Sequence, residues 1–526
     1  QVRYGQISFR EVRERIHKYQ RGLNELGLAP RDRVLMLVSP GVDFLALSYA
    51  VMGRGAIPIF LDPGMGKENL FQTIREIDPQ VLIGSPRAQL LRLKKRDLMP
   101  NLKFHVTASE WIYTGGPRLG YLKRFSPKPL PFVEVRDPLF VAYTSGATGK
   151  PKGVEYTNEM LTEQLRILRE SFGLQPEKKD LPLLPIFSLF HLANGVCSVF
   201  PNIDPSRPLS LDPERVLKII HDLEVNYSFG SPTLWNKISE YCVRAGDSLG
   251  SLEKIFMAGA PVPRSVLSRV QEVLGESGEV FTPYGATEAL PVTLASAAEL
   301  EREARSTPDG SIRSTCGAEG IYVGHPVAGV SVRVIQRLDA PVVGEARVRD
   351  CEIGEIGEVI VSGNNVSRKY YQNPEATRNG KLDIQGMLWH RMGDVGYRNA
   401  DGGLYFCGRV AHIVQSPTRT YYSVPTELIF NRLEKVRRSA LVDLGEGEEP
   451  GIVIEPHPEH WPETEDRRRA FLKELEEVAK QNEITQKIHW FFFHPSFPVD
   501  GRHNAKIFRD KLGDWARQFV TKQEAA

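Results

Sequence analysis

Cysteine is scarce in this sequence: five in 526 residues, at Cys197, Cys242, Cys316, Cys351 and Cys407. They lie far apart, their number is odd and no C-x-x-C pair occurs. This argues against a disulfide framework or a cysteine zinc site, and reduced buried thiols in a cytoplasmic protein are expected instead. Long apolar runs are missing too. The most apolar region, 34–61, is broken by Pro40, Gly41, Asp43, Arg54 and Pro58. It cannot supply the roughly 20 apolar residues of a transmembrane segment. No signal peptide is recognisable. The chain opens on Gln1 rather than methionine, so a short native N-terminal segment is expected to precede it. An excess of one charge is also lacking. Lys and Arg number 67 against 65 Asp and Glu, a net of +2, which leaves no nucleic-acid footprint. The basic clusters at 92–96 (RLKKR) and 466–469 (DRRR) read as solvated helix faces.

What is present is the composition of an ordinary globular protein, 41% hydrophobic and 25% charged, too long for one core. The first 150 residues alternate strand-like and helical patterns: strands over 33–38, 56–62 and 81–85, a helix over 41–55, and a strand over 138–146 that runs into a glycine-rich loop. Strand, helix, strand at this spacing predicts parallel-sheet units. After about residue 320 short alternating strands with turn glycines predict a β-rich subdomain. The fold class is therefore α/β: a large multi-subdomain body of mixed and parallel sheets over 1–408, then a small mobile α+β domain over 409–526. Segments 299–318 and 445–468 read as exposed loops or surface segments.

The loop itself, YTSGATGKPKG at 143–153, concentrates three glycines, three hydroxyls and two lysines. Glycine lets backbone N–H groups approach an anion, hydroxyls donate, and lysines add charge. The Walker pattern is not met, since no glycine stands five residues before Gly149 and Pro151 follows Lys150. Three further stretches stand out: PYGATEALP at 283–291, HRMGDVGYRNADGGLYFCGR at 390–409, and HNAKIFRDKL at 503–512. Singly, Asp394 could cap a turn, Glu288 could be a surface acid and Lys506 a solvated residue.

Together and in this order they resemble the adenylate-forming superfamily of acyl-CoA synthetases, nonribosomal adenylation domains and luciferase. The family's [YF]-T-S-G-[ST]-T-G-x-P-K-G matches 143–153, with Ala147 for the usual hydroxyl residue. Its Y-G-x-T-E matches Tyr284–Glu288, its G-D…G-R matches Asp394 and Arg409, and its late G-K matches Ala505–Lys506. The resemblance implies ATP and Mg²⁺ as cofactors. It places Thr144, Ser145, Gly146, Ala147, Thr148, Gly149 and Lys152 on the phosphates, with Glu288 and Thr144 toward Mg²⁺. Thr287 falls at the α-phosphate, and Tyr284 with Gly285 at adenine, beside the Gly259–Ala260–Pro261 turn. Asp394 falls at the ribose, Arg409 at the ribose or phosphate, and Lys506 between carboxylate and α-phosphate.

A closer resemblance, in 229–238, 258–267, 282–292, 389–412 and 498–512, is to the OleC-type β-lactone synthetases of bacterial olefin biosynthesis. It implies adenylation of a long-chain 2-alkyl-3-hydroxyalkanoic acid, closure to a β-lactone, and a multienzyme assembly with other olefin-biosynthesis enzymes. Two departures from acyl-CoA synthetases point the same way. Ala411 stands where they usually carry an acidic or lysine hinge, and 415–427 lacks the glycine of their thiol tunnel. The alternatives are a long-chain fatty acyl-CoA or acyl-AMP ligase, and an inactive adenylate-binding scaffold. His191, near the acyl pocket by resemblance, either positions the substrate carboxylate or hydroxyl or packs as pocket wall. No carboxylate is evident in sequence to orient it.

Overall fold

The computed structural model describes residues 3–144, 150–201, 203, 207, 210–276, 278–306, 314, 315, 317–338, 348–499 and 507–524. The chain forms two compact units. The first comprises 1–229, 287–290 and 364–377; the second comprises 230–286, 291–363 and 378–526.

The first unit opens with α1 (Phe9–Glu25), started by a capping box in which Ser8 and Glu11 each bond the other's backbone. Parallel strands then alternate with helices: β1 (Arg33–Leu37), α2 (Val42–Met52), β2 (Ile57–Leu61), α3 (Lys67–Ile77), β3 (Val81–Gly84), α4 (Pro86–Lys94), β4 (Phe104–Thr107), α5 (Leu119–Lys123) and β5 (Phe140–Thr144). The order is β4-β3-β1-β2-β5-β6, with β6 (Lys152–Tyr156) antiparallel to β5. Parallel neighbours need crossover helices, and the alternation supplies them. Apolar residues run continuously through β1 and β3 because their sheet is covered on both faces. After α6 (Asn158–Glu170) come β7 (Lys179–Pro182), α7 (Phe187–Ala193), β8 (Cys197–Ser198), α8 (Pro213–Leu223) and β9 (Tyr227–Gly230). β7 is flanked in parallel by β8 and β9.

The second unit holds α9 (Pro232–Ala245), β10 (Lys254–Met257), α10 (Arg264–Leu274), β11 (Glu279–Ala286), β12 (Ala289–Ser296), α11 (Ala297–Ser306), β13 (Ile321–Pro326), β14 (Ser331–Ile335) and β15 (Gly357–Ser362). The chain continues through α12 (Pro374–Gly380), β16 (Lys381–Ile384), β17 (Met387–Arg398) and β18 (Leu404–Arg409). Strands β13 to β18 pair antiparallel, the β-rich texture expected after residue 320. A short hairpin, β19 (Val414–Gln415) and β20 (Thr420–Tyr421), precedes α13 (Ser423–Phe430). The chain ends with β21 (Val436–Val442), β22 (Gly451–Pro456), α14 (Glu465–Lys480), β23 (Trp490–Phe493) and α15 (Arg509–Glu524), in which β21, β22 and β23 form one sheet.

The α/β class and the strand–helix alternation hold. Of the two stretches expected as exposed loops or surface segments, the first holds a surface helix and the second runs into a buried strand. Residues 297–306 are α11, whose start is capped by Ser296 and Glu299 bonding each other's backbone and side chain. Residues 451–456 are β22, buried at every position, because the short apolar run GIVI is the centre of a three-stranded sheet. Among the described cysteines all are free thiols; Cys242 and Cys407 are buried as expected, whereas Cys197 is exposed. No helix among the described residues is long and apolar enough to cross a membrane.

Candidate active site

In the first unit the glycine-rich loop is the connection of a β-hairpin. β5 and β6 pair from Phe140↔Tyr156 to Thr144↔Lys152, so the loop leaves and re-enters the sheet at adjacent positions. Ser145, Gly146, Ala147, Thr148 and Gly149 lie outside the described residues, and of Thr144 only the backbone is described. Gly153 is required for packing, since a Cβ there would stand 2.6 Å from the Tyr143 ring.

Thr287 and Glu288 form the two-residue turn between β11 and β12. Four groups of the first unit hold this turn and the residues after it. Tyr156 Oη donates to the Thr287 carbonyl at 3.0 Å, and the Ser367 N–H to the Glu288 carbonyl at 2.7 Å. Gln164 Nε2 donates to the Leu290 carbonyl at 2.9 Å. Tyr370 Oη donates to Glu288 Oε1 at 2.7 Å. Tyr370 in turn pairs with Val154 of β6 through an isolated bridge, and Lys152 Nζ stands 5.4 Å from its ring centroid. One tyrosine therefore joins the lysine at the end of the loop to the carboxylate of the turn. Burial, then the Glu288 charge, holds the Tyr370 hydroxyl well above the usual phenol range, so it remains a donor.

Glu288 thus keeps a fixed orientation, and among the described residues no cation pairs with it. A carboxylate fixed by a neutral donor, with a second oxygen to spare and a lysine close by, suits a hard divalent cation brought in with phosphates. The donor set fits Mg²⁺ in that form. Among the described residues there is no group of three or more His, Cys, Asp or Glu side chains that could hold a metal ion.

His191 lies on α7, buried, its Nδ1 2.7 Å from Oδ2 of Asp180 on β7. The carboxylate accepts, so Nδ1 is the donor and Nε2 is the ring nitrogen left to face a ligand. Asp180 is the orienting carboxylate that sequence reasoning did not find. Its context, Lys-Lys-Asp, reads as a charged surface turn, and eleven residues separate it from His191. His191 Nε2, Asp180 Oδ1 and Ser198 Oγ are buried without a hydrogen-bond partner among the described residues, and Asp180 and Ser198 are register partners. Unpaired buried polar atoms are costly, about 1–3 kcal/mol each, so such a cluster suits proton handling or a polar ligand group. Adjacent residues of α6 link it to the turn: Gln164 bonds Leu290, and the Leu165 carbonyl accepts from Asn194 at the end of α7 at 3.3 Å.

In the second unit Tyr284 and Gly285 lie on β11, and Gly259 turns the chain after β10 with φ +95°, ahead of Ala260 and Pro261. Tyr284 Oη donates to Asp394 Oδ2 at 2.6 Å. Arg409 Nη1 stands 2.8 Å from Asp394 Oδ1, and the two residues are cross-strand partners of β17 and β18. Asp394 is buried and Arg409 half-exposed. Burial, then the Asp394 charge, pushes the Tyr284 hydroxyl well above its usual range. Asp394 is therefore a built acceptor, and its two donors lie on separate strands. Gly408, at φ +129°, lets α13 approach, because a Cβ there would stand 2.3 Å from Ser423 Oγ.

The glycine-free segment 415–427 forms the β19–β20 hairpin and the start of α13. Its turn is tied by Ser416, and Glu449 accepts from Thr418 Oγ1 and Tyr421 Oη at 2.6 and 2.8 Å. Lys506 lies outside the described residues. Three positions on, Arg509 grips Glu427 in a two-pronged ion pair at 2.9 and 2.7 Å.

Residues 2–371 match the AMP-binding enzyme family. An olefin beta-lactone synthetase of Stenotrophomonas maltophilia is 34% identical, covering 98% of this chain and 92% of the relative. One of Xanthomonas campestris pv. campestris is 36% identical, covering 97% and 91%. An amide bond synthetase from Marinactinospora thermotolerans shares the fold, with a TM-score of 0.78 at 21% identity over 97% of this chain and 95% of that one. The chain belongs to the AMP-binding enzyme family, among the olefin beta-lactone synthetases.

Proposed function

We propose that this protein is an ATP-dependent β-lactone synthetase that activates a long-chain 2-alkyl-3-hydroxyalkanoic acid as its adenylate and closes it to a β-lactone. The observation that carries this is identity of 34–36% along nearly the whole chain to two olefin beta-lactone synthetases. The reading includes a cytoplasmic location, association with other enzymes of olefin biosynthesis, and a layout of a body over 1–408 with a lysine-bearing domain over 409–526.

Both reactants of the first step are anionic, so the protein's work is positioning and charge neutralisation. In this reading the loop 144–152 holds the phosphates, Thr287 the α-phosphate and Glu288 the Mg²⁺ that accompanies them. Tyr284 and Gly285 lie against adenine beside Gly259, Ala260 and Pro261. Asp394 receives the ribose hydroxyls as Arg409 turns toward phosphate, and Lys506 bridges carboxylate and α-phosphate. In the second step the 3-hydroxyl oxygen attacks the acyl carbon. The C–O bond of the ring forms, the acyl–phosphate bond breaks, AMP leaves and His191 Nε2 takes the hydroxyl proton. The nucleophile is tethered, and effective molarities of about 10⁵–10⁸ M are attainable when geometry is right.

The test is AMP release from a 2-alkyl-3-hydroxy acid with and without coenzyme A. Equal rates support the reading. Release that requires the thiol supports an acyl-CoA ligase instead.

A further inference from the structure

One surface of the first unit takes no part in this chemistry. α4 buries Ala88 and Gln89 and leaves Leu90 and Leu93 exposed. The loop after β4 exposes Trp111, Ile112 and Tyr113, with Trp111 at 86% and Tyr113 at 71%. This loop is held, not loose. Ser109 Oγ accepts from the N–H groups of Trp111 and Ile112 at 3.3 and 3.2 Å. Arg118 donates to the Trp111 carbonyl at 3.2 Å, and Arg92 of α4 donates to the Thr114 carbonyl at 3.1 Å. The loop is thus fastened to α4 while its three large side chains stand in water.

The surrounding charge is lopsided. Residues 86–124 contain nine Lys or Arg and two Asp or Glu, a net of +7 in a chain whose total is +2. Both acids are already engaged, Asp97 by Arg75 at 3.3 Å and Glu110 by Lys123. Of the cations, Lys103 is paired with Asp32 and Lys123 with Glu110 and Asp43, whereas Lys94, Lys95 and Arg96, which follow Leu93 directly, have no ion pair among the described residues, so apolar groups and free cations share one surface.

We propose that this surface docks the protein on an anionic lipid bilayer. Trp111 and Tyr113 seat at headgroup level, where amphipathic rings prefer to lie. Leu90, Leu93 and Ile112 enter the acyl boundary, and Lys94 and Lys95 lie over anionic headgroups. The lysines distinguish a bilayer from a protein partner, because the cores of protein interfaces are depleted in lysine. A bilayer is also where a long-chain acid would be dissolved, although the docking stands without that reading.

The test is flotation of the full chain with vesicles of phosphatidylcholine alone, or of equal parts phosphatidylcholine and phosphatidylglycerol. The protein is expected to float with the anionic vesicles, less so at high salt, and not with phosphatidylcholine. Each cation near an anionic surface contributes about fivefold to partitioning, so Lys94→Glu with Lys95→Glu should cut it by more than about tenfold. Trp111→Ser with Tyr113→Ser should cut it comparably. Melting temperature and AMP release from a short water-soluble acid should be unchanged in both variants, which separates docking from folding and from the chemistry. Absence of flotation with anionic vesicles, aromatic variants that float like the parent, or a surface that binds acidic protein but no vesicle would each overturn the proposal.

Discussion

Asp180 holds one ring nitrogen of His191 and leaves the other buried without a partner among the described residues: Nδ1 lies 2.7 Å from Oδ2, and Nε2 bonds to nothing. A histidine so held has a fixed tautomer and a fixed ring plane. If it takes the 3-hydroxyl proton, Asp180→Asn should leave the first half-reaction intact and slow the second. Acid-dependent ATP–pyrophosphate exchange should persist near the parent rate, while lactone formation falls by about 10²–10⁴, the usual worth of a positioned base. Asparagine keeps the size of the side chain, so a melting curve close to the parent is expected. An equal loss in both half-reactions would assign the pair a structural role.

Tyr370 fixes Glu288 through one hydrogen bond of 2.7 Å. Hydrogen bonds to charged groups contribute about 1.5–3 kcal/mol. Tyr370→Phe should raise the KM for Mg–ATP by about 10- to 100-fold with kcat little changed, and shift the magnesium requirement upward. An unchanged magnesium titration would detach Glu288 from the metal.

Gly408 combines φ +129° with a close approach to Ser423. Gly408→Ala should cost about 1–3 kcal/mol through backbone strain alone. The urea midpoint should fall accordingly, and Ser423→Ala should relieve only the contact and not the strain. Full rescue by the second substitution would show that the backbone tolerates the change.

Burial pushes the imidazoles of His105 and His494 below the ordinary histidine range. Near and below a pH of about 6.5 the unfolded chain therefore binds more protons than the folded one. Stability is complete above that pH and is lost as pH falls through it. The urea midpoint should drop between neutral pH and mild acid, and His105→Gln should flatten that slope. A parent slope of zero, or no change on substitution, would contradict the linkage.

The fold was legible where local and global signals agree. The alternation of β1, α2, β2, α3 and β3 is written in apolar runs and glycine stops, because parallel strands buried on both faces need continuous apolar residues. β22 was missed because GIVI is short and flanked by acids, and α11 read no further than a surface segment because a charged surface helix has no long apolar stripe. In the site, Glu288, Asp394 and Arg409 carry motif spacing. Tyr370 and Asp180 carry none: each acts through a partner distant in sequence, 82 and 11 residues away, and only the folded sheet brings the pairs together.

The most direct measurement of the central claim is mass spectrometry of the product formed from a synthetic 2-alkyl-3-hydroxy acid, ATP and magnesium with no thiol present. The account predicts the acid less one water, a β-lactone, in a one-to-one ratio with AMP. It also predicts that a plain fatty acid yields no more than slow hydrolysis of its adenylate. Rapid acyl-CoA formation from plain fatty acids once coenzyme A is added, with no lactone from the hydroxy acid, would contradict it.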